Sequence, residues 1–178
     1  LVRDAYGSRK ATVITSFSMF YDLEDPLGFM QEVFDSLEEE GIWVFEQSYM
    51  PTMLERNSYD TVCHEHLEYY GLKQIQWMAQ RVGFTLVDVE FNDVNGGSFS
   101  VVAAKTGSRQ ASKAAAIEGL LEAEALRGLD TLQPYLDFAR KTEQSREALL
   151  EFADSAIRSG RRMDALGAST KGNVILQY

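Results

Sequence analysis

The first fifty residues contain a strand, a helix and a second strand in close succession. The β-branched run 11–17 predicts a buried strand, and residues 25–40 predict a helix with Asp25 as its N-cap. Gly41 is expected to end this helix, and residues 42–47 predict the next strand. Because the connections are short and a helix separates the strands, the two strands are expected to be parallel. This βαβ unit restricts the chain to the α/β class of folds.

An antiparallel hairpin is expected to complete the sheet. A helix is predicted over residues 71–82, followed by strands over residues 84–91 and 99–104. The Asn-Gly-Gly sequence at residues 95–97 is typical of a tight turn between such strands. Because strands joined by a tight turn must be antiparallel, the sheet is predicted to be parallel with an antiparallel end.

The composition excludes several classes of partner. The chain has 178 residues, with 17 Lys and Arg against 27 Asp and Glu, so its net charge is −10. An acidic chain is a poor match for a nucleic acid polymer or an anionic membrane. No run reaches the roughly 18 apolar residues of a membrane span. The single cysteine, Cys63, excludes an internal disulfide and favours a cytoplasmic setting, while the oligomeric state stays open.

The charge distribution changes at about residue 107. Residues 1–107 hold 7 Lys and Arg against 17 Asp and Glu, whereas residues 108–178 hold 10 of each. Two regions with this boundary are therefore predicted. The second region is expected to contain helices and then the start of a second α/β unit, over residues 112–127 and 130–159 (helices), 162–166 (a short strand), 167–172 (a loop) and 173–178 (a helix).

Titratable side chains are concentrated in residues 59–70, which contain both histidines of the protein. A carboxylate next to a histidine can orient it as a general acid or base, so His66 and Glu65 are candidates for that role. An extended backbone would place His64 and His66 on one face and Cys63 and Glu65 on the other. A zinc site is disfavoured because ligands so crowded cannot easily meet one ion. The alternative is two loop histidines that bond only to backbone.

Further candidates follow the predicted strands. Glu46 and Tyr49 come at the end of the second strand, and Ser18 and Phe20 come after the first. Ligands of open α/β sheets bind outside the carboxyl ends of the strands, so these residues are predicted to line a pocket. Tyr49 and Phe20 have an alternative role as core residues that cap the sheet.

Two glycine-containing segments can each be interpreted in two ways. Residues 95–97 are a simple hairpin turn or a place where backbone closely approaches a ligand. Residues 167–172 include Lys171 and can present backbone N–H groups to a phosphate at a helix N-terminus. The order of residues in this second segment is not that of a Walker loop.

Four segments together resemble the sugar C-methyltransferase family. These S-adenosylmethionine (SAM)-dependent enzymes methylate a carbon of nucleotide-linked deoxysugars. The resemblance extends over nearly the whole chain, and the Glu-His-Leu and Gly-Ala-Ser-Thr-Lys-Gly-Asn sequences are specific in combination. The segments that carry it are residues 41–49, 63–70, 95–99 and 167–173.

The resemblance implies both a fold and a cofactor. Residues 1–107 would form the C-terminal half of a Rossmann-like methyltransferase sheet, and residues 108–178 would open a C-terminal α/β domain that helps hold the nucleotide-sugar. The cofactor would be SAM. The glycine-rich loop that binds SAM in this family would precede this chain, as would a zinc-binding domain. The chain is accordingly expected to be an internal piece that is inactive alone.

The resemblance also implies roles for individual residues. His66 would remove a proton next to a 4-keto group with Glu65 as its partner, and the resulting enolate would attack the methyl group of SAM. Ser18 and Phe20 would lie near the cofactor. The substrate would be bound by a larger set, namely Glu46, Tyr49, His64, Tyr70, Asn95, Gly96, Gly97, Ser169 and Lys171.

Two positions depart from the pattern of the family. Some members have a tyrosine at the position of Cys63 and a histidine at the position of Phe20. Two other functions stay open from the residues alone. One is a non-catalytic α/β assembly domain, and the other is a dinucleotide-dependent oxidoreductase, because a half-sheet does not identify its cofactor.

Overall fold

Four strands form one sheet in the computed structural model, which describes residues 7–167 and 169–178. The strands are β1 (Ala11–Phe17), β2 (Leu37–Ser48), β3 (Phe84–Asn92) and β4 (Ser98–Lys105). Their order in the sheet is β1-β2-β4-β3. β1 and β2 are parallel, whereas β4 is antiparallel to both of its neighbours. The predicted α/β class and the parallel sheet with an antiparallel end are confirmed.

Helices follow or connect these strands, and short 3-10 turns lie at residues 20–22, 59–61 and 94–96. In the described residues, none of the helices combines the length and the apolar character needed to cross a membrane. The helices are α1 (Pro26–Ser36), α2 (Met50–Arg56), α3 (Leu72–Val82), α4 (Ala114–Leu126), α5 (Gln133–Arg158) and α6 (Thr170–Gln177).

The helix predicted over residues 25–40 is correct at its start and wrong at its end. Asp25 caps α1, because its side chain accepts a hydrogen bond from the backbone N–H of Gly28 at 2.9 Å. The helix stops at Ser36, and Leu37 is fully buried in β2. Gly41 lies inside that strand and not at a helix end. Leu37 pairs with β1, and the residues from Ile42 onward pair with β1 and β4, so strand pairing on either side of the glutamates has overridden their helix propensity.

The strand predicted over residues 162–166 is also wrong. These residues are exposed and have no regular structure, so they lack the neighbouring strand that a sheet requires. The final helix is confirmed but begins earlier, at Thr170, with the Ser169 side chain accepting from the backbone N–H of Gly172 at 3.3 Å. Ala168 of the predicted loop and residues 1–6 of the predicted first region lie outside the described residues.

The main core lies on one face of the sheet, under α1 and α3. Trp43 and Phe45 of β2 stack with their ring centroids 4.0 Å apart. Phe20 is fully buried against both of them, with centroid distances of 5.8 Å and 5.6 Å. The ring of Tyr70 completes the cluster, 5.5 Å from that of Phe20. This aromatic cluster therefore fixes the carboxyl ends of β1 and β2 and the start of α3 in one unit.

The turn between β3 and β4 packs closely against α2. The backbone N–H of Tyr49 donates to the carbonyl of Gly97 at 3.1 Å. Gly97 has a φ of +132°, and a Cβ at this position would lie 2.4 Å from Cγ2 of Thr52. Glycine is therefore required here both by the backbone conformation and by the approach of the helix.

Replacing Gly97 with alanine should destabilise the fold more than the same change at Gly107. Gly107 has a φ of +91° but open space around it, so Gly107→Ala carries the conformational penalty of about 1–2 kcal/mol alone. Gly97→Ala adds a clash with Thr52, and overpacking costs about 1–3 kcal/mol more. Chemical denaturation of both variants measures the difference. Equal losses would contradict the close packing of the turn.

Candidate active site

His66 lies in the segment of residues 50–71, called here the His66 segment, which connects β2 to α3. Residues 63–66 form a turn closed by a 3.2 Å hydrogen bond from the N–H of His66 to the carbonyl of Cys63. The segment is therefore not extended here, so the condition under which His64 and His66 would share one face is not met. The two histidines differ in environment, since His64 is exposed and His66 is half-buried.

Backbone and ring contacts tie His66 to the carboxyl end of β1. The N–H groups of Leu67 and Glu68 donate to the carbonyl of Tyr21 at 3.0 Å and 3.1 Å. The imidazole ring of His66 lies against the phenol ring of Tyr21, with centroids 4.3 Å apart. Tyr21 is itself buried, so the imidazole has a fixed surface to pack on.

Two carboxylates lie close to this imidazole. Partial desolvation raises the pKa of Asp22 above its ordinary value, the charge of Glu65 raises it further, and nearby His66 opposes the rise. Glu65 was predicted to accompany His66, whereas Asp22 was missed because it lies 44 residues earlier in the chain. The structure thus gathers Tyr21, Asp22, Glu65 and His66 at the end of β1, an arrangement that suits proton transfer.

Tyr70 and Phe20 were predicted to contact ligands, yet both side chains are buried in the core. The hydroxyl of Tyr70 and the side-chain amide of Gln47 have no hydrogen-bond partner among the described residues. Burial raises the pKa of Tyr70 to about 12, and the charge of Glu68 contributes. Phe20 has the core role that was the alternative for it. Ser18, in contrast, is exposed, and its N–H donates to the carbonyl of Glu46 at 2.8 Å.

Side chains at the end of β2 are already engaged within the protein. The carboxylate of Glu46 accepts a 2.8 Å hydrogen bond from the amide of Asn92. The hydroxyl of Tyr49 donates to the carboxylate of Glu124 at 2.7 Å. Burial and this carboxylate raise the pKa of Tyr49 well above its ordinary value. Tyr49 therefore serves a buried contact, and Glu46 is left partly accessible.

Glu124 of α4 is a site residue that sequence reasoning missed. Its side chain is only 3% exposed and also accepts from the N–H groups of Leu72 and Lys73, at 2.6 Å and 3.0 Å. These are the first N–H groups of α3, where a helix attracts negative charge. No local pattern could reveal the contact, because Glu124 and Tyr49 are 75 residues apart.

The two predicted phosphate or substrate segments meet at the β3–β4 turn. The amine of Lys171 lies 3.5 Å from the carbonyl of Asn95. Arg56, which was not predicted, donates to the carbonyl of Gly96 at 2.9 Å and to the carboxylate of Asp93 at 2.8 Å. Ser169 caps α6 beside Lys171. Two cationic side chains therefore flank this turn, on a protein whose net charge is −10.

A cleft of about 410 Å³ opens between α2, the ends of β3 and β4, and α4. Its lining includes Tyr49, Arg56, Phe91, Leu120, Glu124 and Arg127. Of its described lining residues, none lies between positions 57 and 71, so the cleft is separate from His66.

Across residues 7–167 and 169–178, no group of three or more His, Cys, Asp and Glu side chains is arranged to hold a metal ion.

Comparison with known families classifies the chain. A family model described as "Methyltransferase domain" matches residues 2–89, and one described as "C-methyltransferase C-terminal domain" matches residues 93–178. Both models are of methyltransferase families, and together they span nearly all of the chain. More particularly, the chain belongs to the C-methyltransferase family.

Individual relatives agree with this family. The chain is 32% identical over 140 residues to the C-methyltransferase NovU of Streptomyces niveus. The aligned region covers 79% of this chain and 33% of NovU. The chain thus spans about a third of the length of this relative.

Solved structures resemble the chain more distantly. A chain in the complex of the Haloferax volcanii Trm112 methyltransferase activator is 10% identical, with a TM-score of 0.48 over 57% of each chain. Magnesium protoporphyrin IX methyltransferase of Synechocystis is 9% identical, with a TM-score of 0.43 over 57% of this chain and 48% of that one. Likenesses at this level do not bear on function.

Removing the hydroxyl of Tyr49 should lower stability, whereas removing that of Tyr70 should not. Tyr49→Phe removes a donor from the buried Glu124 carboxylate and should lower the free energy of unfolding by about 1.5–3 kcal/mol. Tyr70→Phe removes a hydroxyl that has no partner among the described residues, so stability should stay within about 0.5 kcal/mol or rise. Chemical denaturation at pH 7 compares the two. A larger loss for Tyr70→Phe would reverse these assignments.

Tyr70 should also ionise late in an alkaline titration. Its pKa is raised from 10.0 to about 12, so the folded state keeps the neutral phenol. Because this pKa is higher in the folded than in the unfolded state, stability is unaffected by the ionisation below pH 10 and is lost as the pH rises through 12. The difference in phenolate absorbance between the parent protein and Tyr70→Phe should have its midpoint near pH 12. A midpoint near pH 10 would show that the hydroxyl is solvated.

Proposed function

We propose that this chain serves a SAM-dependent methyl transfer to a carbon of a nucleotide-linked 4-keto deoxysugar. The observation that carries the proposal is the half-buried His66 imidazole, held 4.3 Å from the Tyr21 ring beside Asp22 and Glu65. Membership of the C-methyltransferase family supports methyl transfer over a dinucleotide-dependent oxidation or a purely structural role. The name of the relative NovU supports carbon as the acceptor.

His66 is proposed as the general base. A hydrogen on a carbon next to a ketone is acidic, and the imidazole takes this proton while the C–H bonding pair moves into the enolate. Asp22 interacts electrostatically with His66, and Glu65 precedes His66 in the chain, so both carboxylates are proposed as its partners in this proton transfer. Packing on Tyr21 limits the ring to one orientation, which aids transfer from a fixed substrate carbon.

When bound, SAM would supply the electrophilic methyl group: the enolate carbon would form a bond to it as the methyl–sulfur bond breaks, and S-adenosylhomocysteine would leave. Of the two residues predicted to lie near SAM, Ser18 is exposed at the carboxyl end of β1, where its hydroxyl interacts with the phenol of Tyr21. Phe20 is fully buried, so its contribution would be to support the floor of this region through Trp43 and Phe45. The residues present therefore fit one edge of a cofactor site.

Lys171 and Arg56 are proposed to hold the diphosphate of the nucleotide. Both side chains lie at the β3–β4 turn, and their cationic groups can pair with phosphate oxygens. Ser169 and the first turn of α6 add backbone N–H groups on the same side. The other proposed substrate contacts are His64, Glu46 and Asn95.

A cytoplasmic setting stays a prediction, which is based on the single Cys63.

Replacing His66 with glutamine should abolish most methyl transfer without affecting SAM binding. Loss of a general base lowers kcat by about 100- to 10,000-fold. The assay uses the complete natural polypeptide that contains these residues, methyl-labelled SAM and a panel of nucleotide-linked 4-keto-6-deoxysugars, with the product located by mass spectrometry. Titration calorimetry measures SAM affinity in parallel.

The exposed Gln144 on α5 provides the control variant, Gln144→Ala, which should retain the parent rate. An undiminished rate for His66→Gln would remove His66 from the role of base. Label on an oxygen would exclude carbon as the acceptor, and absence of SAM binding by the parent would reject the proposed function itself.

A further inference from the structure

One carboxylate joins three elements that are far apart in the chain. Glu124 of α4 accepts from the hydroxyl of Tyr49 at the end of β2 and from the N–H groups of Leu72 and Lys73 at the start of α3. The side chain is 3% exposed, so water does not weaken these bonds. Hydrogen bonds to a buried ionised group are among the stronger contacts in a protein.

The residues that Glu124 joins are the two ends of the His66 segment. Tyr49 directly precedes the segment and Leu72 directly follows it. The backbone closes the same gap, because the N–H of Met50 donates to the carbonyl of Tyr70 at 3.0 Å. Glu124 therefore fixes the base of this 22-residue segment, in which His66 lies five residues before the last.

The start of α3 has the composition that such a contact requires. Gly71 stands at the N-cap position and has no side chain to bond the free N–H groups of the helix. A Cβ on Gly71 would lie 3.1 Å from one carboxylate oxygen of Glu124 and 3.2 Å from the other. The glycine thus leaves room for a capping group supplied by α4, a different part of the chain.

We propose that Glu124 is a positioning residue for the active site. By fixing both ends of the His66 segment, Glu124 holds His66 against Tyr21. This inference rests on the proposed function where it concerns catalysis, because it takes His66 as the base. Its structural part stands on the contacts alone. The hydrogen bonds of Glu124 go to Tyr49, Leu72 and Lys73 and not to His66, so its proposed effect on His66 acts through the segment.

Cys63 provides a local readout that is independent of methyl transfer. It is the single cysteine, it is half-buried, and it lies three residues before His66. Loosening the segment should expose its sulfur to iodoacetamide. We expect Glu124→Gln to raise the rate constant of alkylation at least fivefold, and Tyr49→Phe to raise it about twofold. Because both changes act on one contact, the double variant should be no more reactive than Glu124→Gln alone.

Two control variants separate this effect from general destabilisation. Glu122→Gln changes an exposed carboxylate on the same helix and should leave the alkylation rate unchanged. Val33→Ala removes buried side-chain volume between α1 and the core, so it lowers stability without changing the hydrogen bonds of Glu124. All rates are measured where circular dichroism shows each variant to be folded. An equal rise for Val33→Ala, or no rise for Glu124→Gln, would overturn the proposal.

Steady-state kinetics on the complete natural polypeptide test the catalytic part. Glu124→Gln should lower kcat about 10-fold with KM for SAM within twofold, since a small displacement of a base slows proton transfer. Glu124→Asp keeps the charge and should recover part of the rate. An unchanged kcat in a variant with exposed Cys63 would overturn the positioning role. If the parent is inactive on every sugar tested, the proposed function fails, while the alkylation result still decides whether Glu124 fixes the segment.

Discussion

Pairing of β2 on both of its edges is the constraint on which the rest of the structure depends. This strand is parallel to β1 on one side and antiparallel to β4 on the other. Its inward residues Trp43 and Phe45 form the aromatic surface on which α1 and α3 pack. Its last residues then lead directly into the His66 segment. The position of the proposed base therefore follows from the register of a central strand.

The sequence predicted those elements whose signal is local. β1, the hairpin of β3 and β4, and most helices were recognised from periodicity, capping by Asp25 and the turn at residues 95–97. The errors arose where a distant partner decides the outcome. Leu37 joined the sheet because β1 pairs with it and because β1 and β4 both pair with the residues from Ile42 onward. Residues 162–166 stayed irregular because no strand lies beside them.

The same distinction applies to the candidate site. His66 and Glu65 were visible because their titratable groups are neighbours in sequence. Asp22, Arg56 and Glu124 were missed because their contacts join residues 37 or more positions apart. None of the three belongs to a sequence motif. Tyr70 and Phe20 show the converse, since a residue that follows a strand can point into the core as readily as into a pocket.

The two family matches meet between residues 89 and 93, inside the hairpin of β3 and β4. β4 belongs to the second match, yet in the sheet it lies between β2 and β3 of the first. Glu124 likewise belongs to the second match and bonds to the first. The boundary that separates these families in sequence is thus not one at which the protein can be divided. Exchange of C-terminal regions between relatives would have to carry over a strand and a buried charge that fit the recipient, which limits how such enzymes can recombine.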